Sequence, residues 1–134
     1  MRVRSITAAV LFATCIMAAK AGSIVSFEDA KEIWRSSKDR VQYEPFAREF
    51  IKRQSFVRPD VLKGCYALGE EPLELMLVVV RRDDGSGVVA EVFADQASAK
   101  SECYIKSYRG FPLVAPPFLP FVLRMGIEPR GAGA

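Results

Sequence analysis

The sequence predicts an α+β domain in which an N-terminal helical segment precedes a β-β-α-β unit, with a small three-stranded antiparallel sheet packed on a helix. Three observations indicate this class. Apolar residues recur at helical spacing over residues 27–54, and apolar runs of strand length occupy residues 73–80, 88–94 and 121–127. A helical stretch separates the last two runs.

The first 21 residues have the pattern of a cleavable secretory signal. Two arginines open the chain, residues 6–19 carry no charge, and Ala19 and Ala21 stand at positions −3 and −1 before Gly22. The apolar stretch is shorter than the roughly 20 residues that a spanning helix needs. We therefore expect cleavage after Ala21 and a soluble mature protein that is periplasmic or secreted.

Removal of this leader changes the charge of the chain. The full sequence has 19 basic and 16 acidic residues and a net charge of +3. Three of the basic residues lie in the leader, which leaves 16 of each sign in the mature chain. A formally neutral chain gives no indication of nucleic-acid binding, which needs a clustered positive field.

The leader also takes one of the three cysteines with it. Cys15 leaves, while Cys65 and Cys103 remain. Two cysteines in an exported chain are expected to form a structural disulfide. A redox-active pair is the alternative, but the Cys-x-x-Cys spacing typical of that chemistry is missing.

The N-terminal segment, residues 22–54, is predicted to hold two helices or one kinked helix. Ser26 and Asp29 resemble a capping box. The apolar positions of the first stretch share one helical face: Phe27, Ala30, Ile33 and Trp34. Pro45 suits the first position of a second helix, whose stripe contains Phe46, Ala47, Phe50 and Ile51.

The remaining elements belong to a predicted domain over residues 55–128. Residues 55–64 are expected to be a connector, and the unbroken apolar run at 73–80 indicates a strand covered on both faces. Asp84-Gly85 predicts a hairpin turn, after which Val88, Ala90, Val92 and Ala94 should share one face of the returning strand.

The C-terminal part of this domain is predicted from caps and prolines. Asp95 should cap a helix over residues 96–109 that ends at Gly110. Residues 111–120 contain four prolines and are expected to be extended, before a strand at 121–127 and a flexible tail at 129–134.

Most catalytic machinery is excluded by composition. The chain has no histidine, which removes Ser-His-Asp and Cys-His catalysis and histidine metal ligands. Ser98-Ala99-Lys100 is interpreted as ordinary helix surface. Glu70, Glu71 and Glu74, like Asp83-Asp84, are interpreted as solvated turn residues. No cofactor, no metal site and no enzymatic activity are predicted. The alternative is a hydrolase that uses a pair of these carboxylates.

Two apolar features are candidates for partner binding. The first is Trp34, the single tryptophan, which as an exposed residue would anchor a partner. The alternative is that Trp34 fills the core between a helix and the sheet. The second candidate is the proline-rich run, which would offer a partner a rigid surface, or ledge. Its residues are Pro116, Pro117, Phe118 and Pro120. A rigid connector whose phenylalanines fill the core is the alternative for this run.

Several of these motifs together resemble a known family. Gly64-Cys65-Tyr66 precedes an apolar strand, Cys103 follows on a helix, and Phe111-Pro112 and Pro116-Pro117 precede the last strand. Over residues 63–128 this is similar to the C-terminal domain of TonB-like proteins, closest to the AgmX/PglI type. The resemblance implies an envelope domain that binds a partner by strand addition or surface contact, without catalysis.

Three hypotheses of function follow. The first is a soluble, non-enzymatic periplasmic accessory protein that binds another envelope protein, because the chain lacks the proline-rich linker and the persistent anchor of TonB. The second is a secreted inhibitor or effector that acts on a foreign protein. The third is the carboxylate-based hydrolase.

Overall fold

The structure is a computed structural model that describes residues 24–57 and 59–129. The predicted cleavage residues Ala19, Ala21 and Gly22 and the tail residues 130–134 lie outside these ranges. The described chain is an α+β fold of four helices and one four-stranded antiparallel sheet. Within the described ranges, no helix is long and apolar enough to cross a membrane.

The first helix, α1 (Phe27–Ser37), begins where the capping signal predicted. The Ser26 hydroxyl accepts a hydrogen bond from the Asp29 backbone N–H at 3.2 Å. The Asp29 carboxylate accepts from the backbone N–H of Val25, one residue before the cap. Ala30 is fully buried, so α1 lies flat against the sheet.

The second and third helices are α2 (Tyr43–Val57) and α3 (Pro59–Tyr66). The predicted connector at 55–64 is therefore wrong, since helix occupies nearly all of it. Pro59 is the first residue of α3, a position where its missing N–H is not needed. On α2, Phe46 and Phe50 are buried as predicted, whereas Ile51 is half exposed.

The sheet contains β1 (Leu73–Arg81), β2 (Gly87–Ala94), β3 (Pro112–Leu113) and β4 (Phe121–Ile127). Its strand order is β3-β2-β1-β4, with all pairs antiparallel. The predicted number of three strands is wrong because the proline-rich segment contributes β3. There Leu113 pairs with Gly87 and Pro112 with Val88.

Both faces of β1 are covered, as its continuous apolar run indicated. Leu75, Leu77 and Val79 face the larger core, which α2, α3 and α4 (Ala99–Tyr108) complete. Met76 and Val78 face a smaller core under α1. The fold is thus a sheet with one helix on one face and three on the other.

A β-bulge changes the face pattern of β2. The pairing with β1 shifts between Val78 and Val79, which leaves Ala90 without a partner position. Because one extra residue reverses the alternation, Val89 enters the larger core together with Val92. The prediction that Val88, Ala90, Val92 and Ala94 share one face is wrong for this reason.

The start of α4 also differs from the prediction. Ser98 is its N-cap and forms a reciprocal capping box with Ser101. Asp95 instead accepts a hydrogen bond from the Glu74 backbone N–H at 3.0 Å and so joins the ends of β1 and β2. Gly110 follows the helix with φ +83°, in the left-handed conformation that the sequence indicated.

Candidate functional site

The proline-rich candidate residues lie in the segment 114–120, which connects β3 to β4 and is called the ledge below. Pro116 is buried and Phe118 is half-buried, whereas Pro117 and Pro120 are exposed. Val114 and Leu119 are 58% and 52% exposed. Some residues of the ledge therefore fill the core, and others present apolar surface to solvent.

Three contacts hold the ledge in place. The Arg81 guanidinium donates a hydrogen bond to the Pro116 carbonyl oxygen at 3.1 Å. The Arg40 guanidinium stacks over the Phe118 ring at 3.7 Å, and that ring lies 5.0 Å from the ring of Phe121. The ledge is therefore preorganised, which reduces the entropy lost when a partner binds.

The third contact requires a glycine at position 87. The ledge backbone approaches β2 so closely that a Cβ on Gly87 would overlap the carbonyl oxygen of Val114 and lie 3.3 Å from Pro116 Cδ. A backbone carbonyl cannot move aside as a flexible side chain can. The glycine is thus required for this close approach and not for a special φ angle.

Gly87→Ala is therefore expected to lower the free energy of unfolding by about 1–3 kcal/mol, the usual cost of overpacking. Urea-induced unfolding measures this change. Gly64→Ala is the matched control because nothing lies within 4 Å of its added Cβ. That control should be neutral or stabilising, since alanine is the better helix former in α3. Equal stability of the two variants would contradict the close approach.

An apolar groove runs between α2 and the beginning of the ledge, with a volume of about 560 Å³. Its floor is formed by Phe46 and Phe50 of α2 and by Leu113 and Val114. Its rim carries the charged side chains of Glu49, Lys52 and Arg53. An apolar cleft with a few polar groups at its edge is the usual form of a binding site.

Sequence reasoning missed this groove. It identified Phe46 and Phe50 only as a core-facing stripe and placed the ledge in a different domain. The spacing of Phe46, Glu49, Phe50 and Arg53 along one side of α2 was the available signal. That α2 lies beside Leu113 is a tertiary contact that the spacing does not contain.

Trp34, the other binding candidate, is not in the groove. It is half-buried in α1 and packs against both cores. The Lys38 ammonium and the Arg124 guanidinium lie 5.9 Å and 5.4 Å from its ring. Burial raises the pKa of the Tyr43 hydroxyl, and hydrogen bonding from the Arg124 backbone and the Trp34 side chain partly opposes that effect. These contacts fit the core position better than an exposed anchor.

An ion-pair network ties α1 to the same face of the sheet. Glu74 accepts from Lys31 at 2.7 Å and from Arg124 at 2.9 Å, and its side chain is 18% exposed. Burial by itself raises the pKa of Glu74, but the hydrogen bonds and positive charges of these two partners outweigh it and lower the pKa. Glu74 is therefore a structural anion and not a solvated turn residue as predicted.

Glu70 and Asp84, two other members of the predicted acidic turns, are placed as the sequence indicated. Glu70 is exposed, and the Asp84 carboxylate accepts from the hydroxyl and backbone N–H of Ser86 in the hairpin turn. These Ser86 hydrogen bonds lower the pKa of Asp84. Among the described residues, no cluster of three or more His, Cys, Asp or Glu side chains could hold a metal ion.

Cys65 and Cys103 form the predicted disulfide, with their Cα atoms 5.4 Å apart. The bond joins α3 to α4, and Cys65 is fully buried. Close to it, the Tyr108 hydroxyl donates a short hydrogen bond to the Gln54 side-chain oxygen and so ties α4 to α2. Burial raises the pKa of Tyr108, so the hydroxyl stays protonated.

Lys100 departs most clearly from its predicted role. The interpretation of Ser98-Ala99-Lys100 as helix surface is wrong, because the Lys100 side chain is fully buried. Its ammonium donates to the Glu71 carbonyl oxygen at 2.8 Å and lies 5.1 Å from the Tyr66 ring. Lys100 thereby links α4 to the end of α3 and to the loop before β1.

Comparison with known proteins identified no relative: no family model, no curated protein and no solved structure matches the chain. The resemblance to TonB-like C-terminal domains therefore stays a prediction.

Proposed function

We propose that the mature chain is a non-enzymatic periplasmic accessory protein that binds another envelope protein through the ledge and the adjoining groove. The observation that carries this proposal is the pairing of a preorganised ledge with an apolar groove of about 560 Å³. Val114 belongs to both features and is more than half exposed. Exposed apolar surface of this kind marks interaction sites.

Two further observations support a binding role. The ledge residues are held by Arg81, Arg40 and the close approach to Gly87, so a partner meets a fixed surface. Glu74, the most buried carboxylate of the predicted acidic cluster, forms ion pairs with Lys31 and Arg124 and so has a structural role. The export signal and the likeness to TonB-like domains indicate the envelope as the compartment.

The test is capture from periplasmic extract of the producing bacterium with the purified mature chain. We expect wild type to enrich one envelope protein, which then cross-links to a photoreactive residue placed at Leu119. Val114→Asp and Pro117→Glu should reduce this capture at least about tenfold, because a charge on the apolar surface must be desolvated. Lys106→Glu, an exposed change on α4 outside the groove, is the matched control.

Two outcomes would contradict the proposal. One is an empty capture in which wild type, Val114→Asp and Pro117→Glu behave alike. The other is recovery of the mature chain from culture supernatant instead of periplasm, which would favour the secreted inhibitor or effector. Mass spectrometry of the fractionated protein also tests cleavage after Ala21.

A further inference from the structure

The groove has a direction that constrains the shape of its occupant. Its α2 residues Phe46, Glu49, Phe50 and Arg53 follow the spacing i, i+3, i+4 and i+7. They span two helical turns, which corresponds to about 10 Å along the axis. Leu113 and Val114 form the opposite wall. A groove of this length accommodates apolar side chains from two successive turns of a partner helix.

The prolines of β3 and of the ledge disfavour a partner that adds a strand to the β3 edge. Pro112, Pro116, Pro117 and Pro120 lack the N–H groups that a continuous ladder needs. A partner on this side must therefore be recognised mainly through side chains. This favours a helix laid into the groove over an extended peptide hydrogen-bonded to the sheet.

Among the described residues, one positive charge on the rim of the groove has no ion-pair partner. Glu49 and Lys52 pair with each other at 3.6 Å. Arg53 enters none of the ion pairs found among residues 24–57 and 59–129. Arg53 is exposed and lines the same groove as the buried Phe50, so a carboxylate on a segment bound over the apolar floor can form a charge-assisted hydrogen bond with it.

We propose that the groove binds an amphipathic helical segment of a partner protein whose apolar side chains cover Phe46 and Phe50 and whose carboxylate pairs with Arg53. This inference depends on the proposed function and adds the chemistry of the partner. Arg53 is the residue that selects acidic over basic segments. The apolar floor supplies affinity for either kind.

The test uses the mature chain and two fluorescein-labelled 14-residue peptides with leucines at the same positions i, i+3, i+4 and i+7. The remaining positions are glutamate-rich in one peptide and lysine-rich in the other. Fluorescence anisotropy is expected to show about tenfold tighter binding of the acidic peptide at low salt. The preference should shrink as salt is raised, because the rim charge is exposed.

Two variants distinguish the contribution of the Arg53 charge to peptide binding from that of the apolar floor. Arg53→Glu should abolish or reverse the preference, while Val114→Asp should weaken binding of both peptides at least about tenfold. Lys106→Glu changes the net charge by the same amount as Arg53→Glu, yet it should leave the preference intact. Circular dichroism confirms that each variant is folded before its affinity is compared.

Several outcomes would overturn this inference. They are equal binding of the two peptides, failure of both peptides to bind, and an unchanged preference in Arg53→Glu. Displacement of the acidic peptide by dodecanoate would assign the groove to an amphiphile, and a dimer broken by Val114→Asp would assign it to a second copy. If the envelope protein is nevertheless captured through Val114, only the recognition chemistry fails and the proposed function stands.

Discussion

Replacing both Cys65 and Cys103 with alanine is expected to lower the free energy of unfolding by about 4 kcal/mol. The disulfide closes a sequence separation of 38 residues, which restricts the unfolded chain strongly. It also joins α3, a helix of eight residues, to the longer α4. Because a domain of this size is stable by only about 5–15 kcal/mol, the loss is a large fraction of the total.

Urea-induced unfolding followed by Trp34 fluorescence measures this effect. Trp34 is the single tryptophan and lies beside Lys38 and Arg124, so its emission should report the loss of the fold. Reduced wild type should unfold at nearly the same urea concentration as the double variant. Ser107→Ala, next to the Cys65 sulfur at 3.5 Å, keeps the disulfide and is the control. A loss below about 1 kcal/mol in the double variant would show that tertiary contacts hold α3 without the bond.

The sequence predicted those elements whose signals are local. The Ser26 cap, the Asp84-Gly85 turn and the left-handed Gly110 depend on one or two neighbouring residues, and the structure confirms each one. The strand at 121–127 was also predicted with its correct bounds, because its apolar run extends over most of the element. The disulfide followed from the count of two cysteines in the predicted mature chain.

The sequence-based predictions are wrong where tertiary contacts determine the role of a residue. Asp95 satisfies the rules for an N-cap, but its carboxylate accepts a hydrogen bond from the backbone N–H of Glu74 on β1. Ser98 caps α4 instead. Lys100 has the sequence context of a surface residue, yet Tyr66 and the Glu71 carbonyl provide a buried place for its ammonium. No periodicity within α4 reveals those partners.

The candidate site was predicted in part for the same reason. Prolines and phenylalanines indicated a rigid ledge, and Pro117 is indeed exposed beside the buried Pro116. The groove required knowledge that α2 and Leu113 line the same cleft, although the two segments are more than 50 residues apart in the chain. The bulge at Ala90 could not be predicted from the sequence either, because it follows from the pairing of β2 with β1.

Phe121→Ala is expected to lower the free energy of unfolding by about 3–5 kcal/mol. The Phe121 side chain is fully buried, and its ring centre lies 5.2 Å from that of Tyr43, 4.6 Å from Phe46 and 5.0 Å from Phe118. Alanine would leave a cavity at the point where α2, β4 and the ledge meet. Urea-induced unfolding should show the loss, and Leu119→Ala, which removes a half-exposed side chain, should change stability by less than about 0.5 kcal/mol.

This substitution also tests whether the ledge depends on the core beneath it. Phe118 is held between the Arg40 guanidinium and the Phe121 ring, so loss of that ring should release Phe118 even while the domain stays folded. Backbone amide chemical shifts in the segment 114–120 should then move in Phe121→Ala but stay unchanged in Val92→Ala, a core deletion five residues further along β2 than Gly87. If both variants lose stability and neither moves the ledge, Arg81 and Gly87 alone fix it. Movement confined to Phe121→Ala would establish that the apolar surface of the ledge is an extension of the folded core.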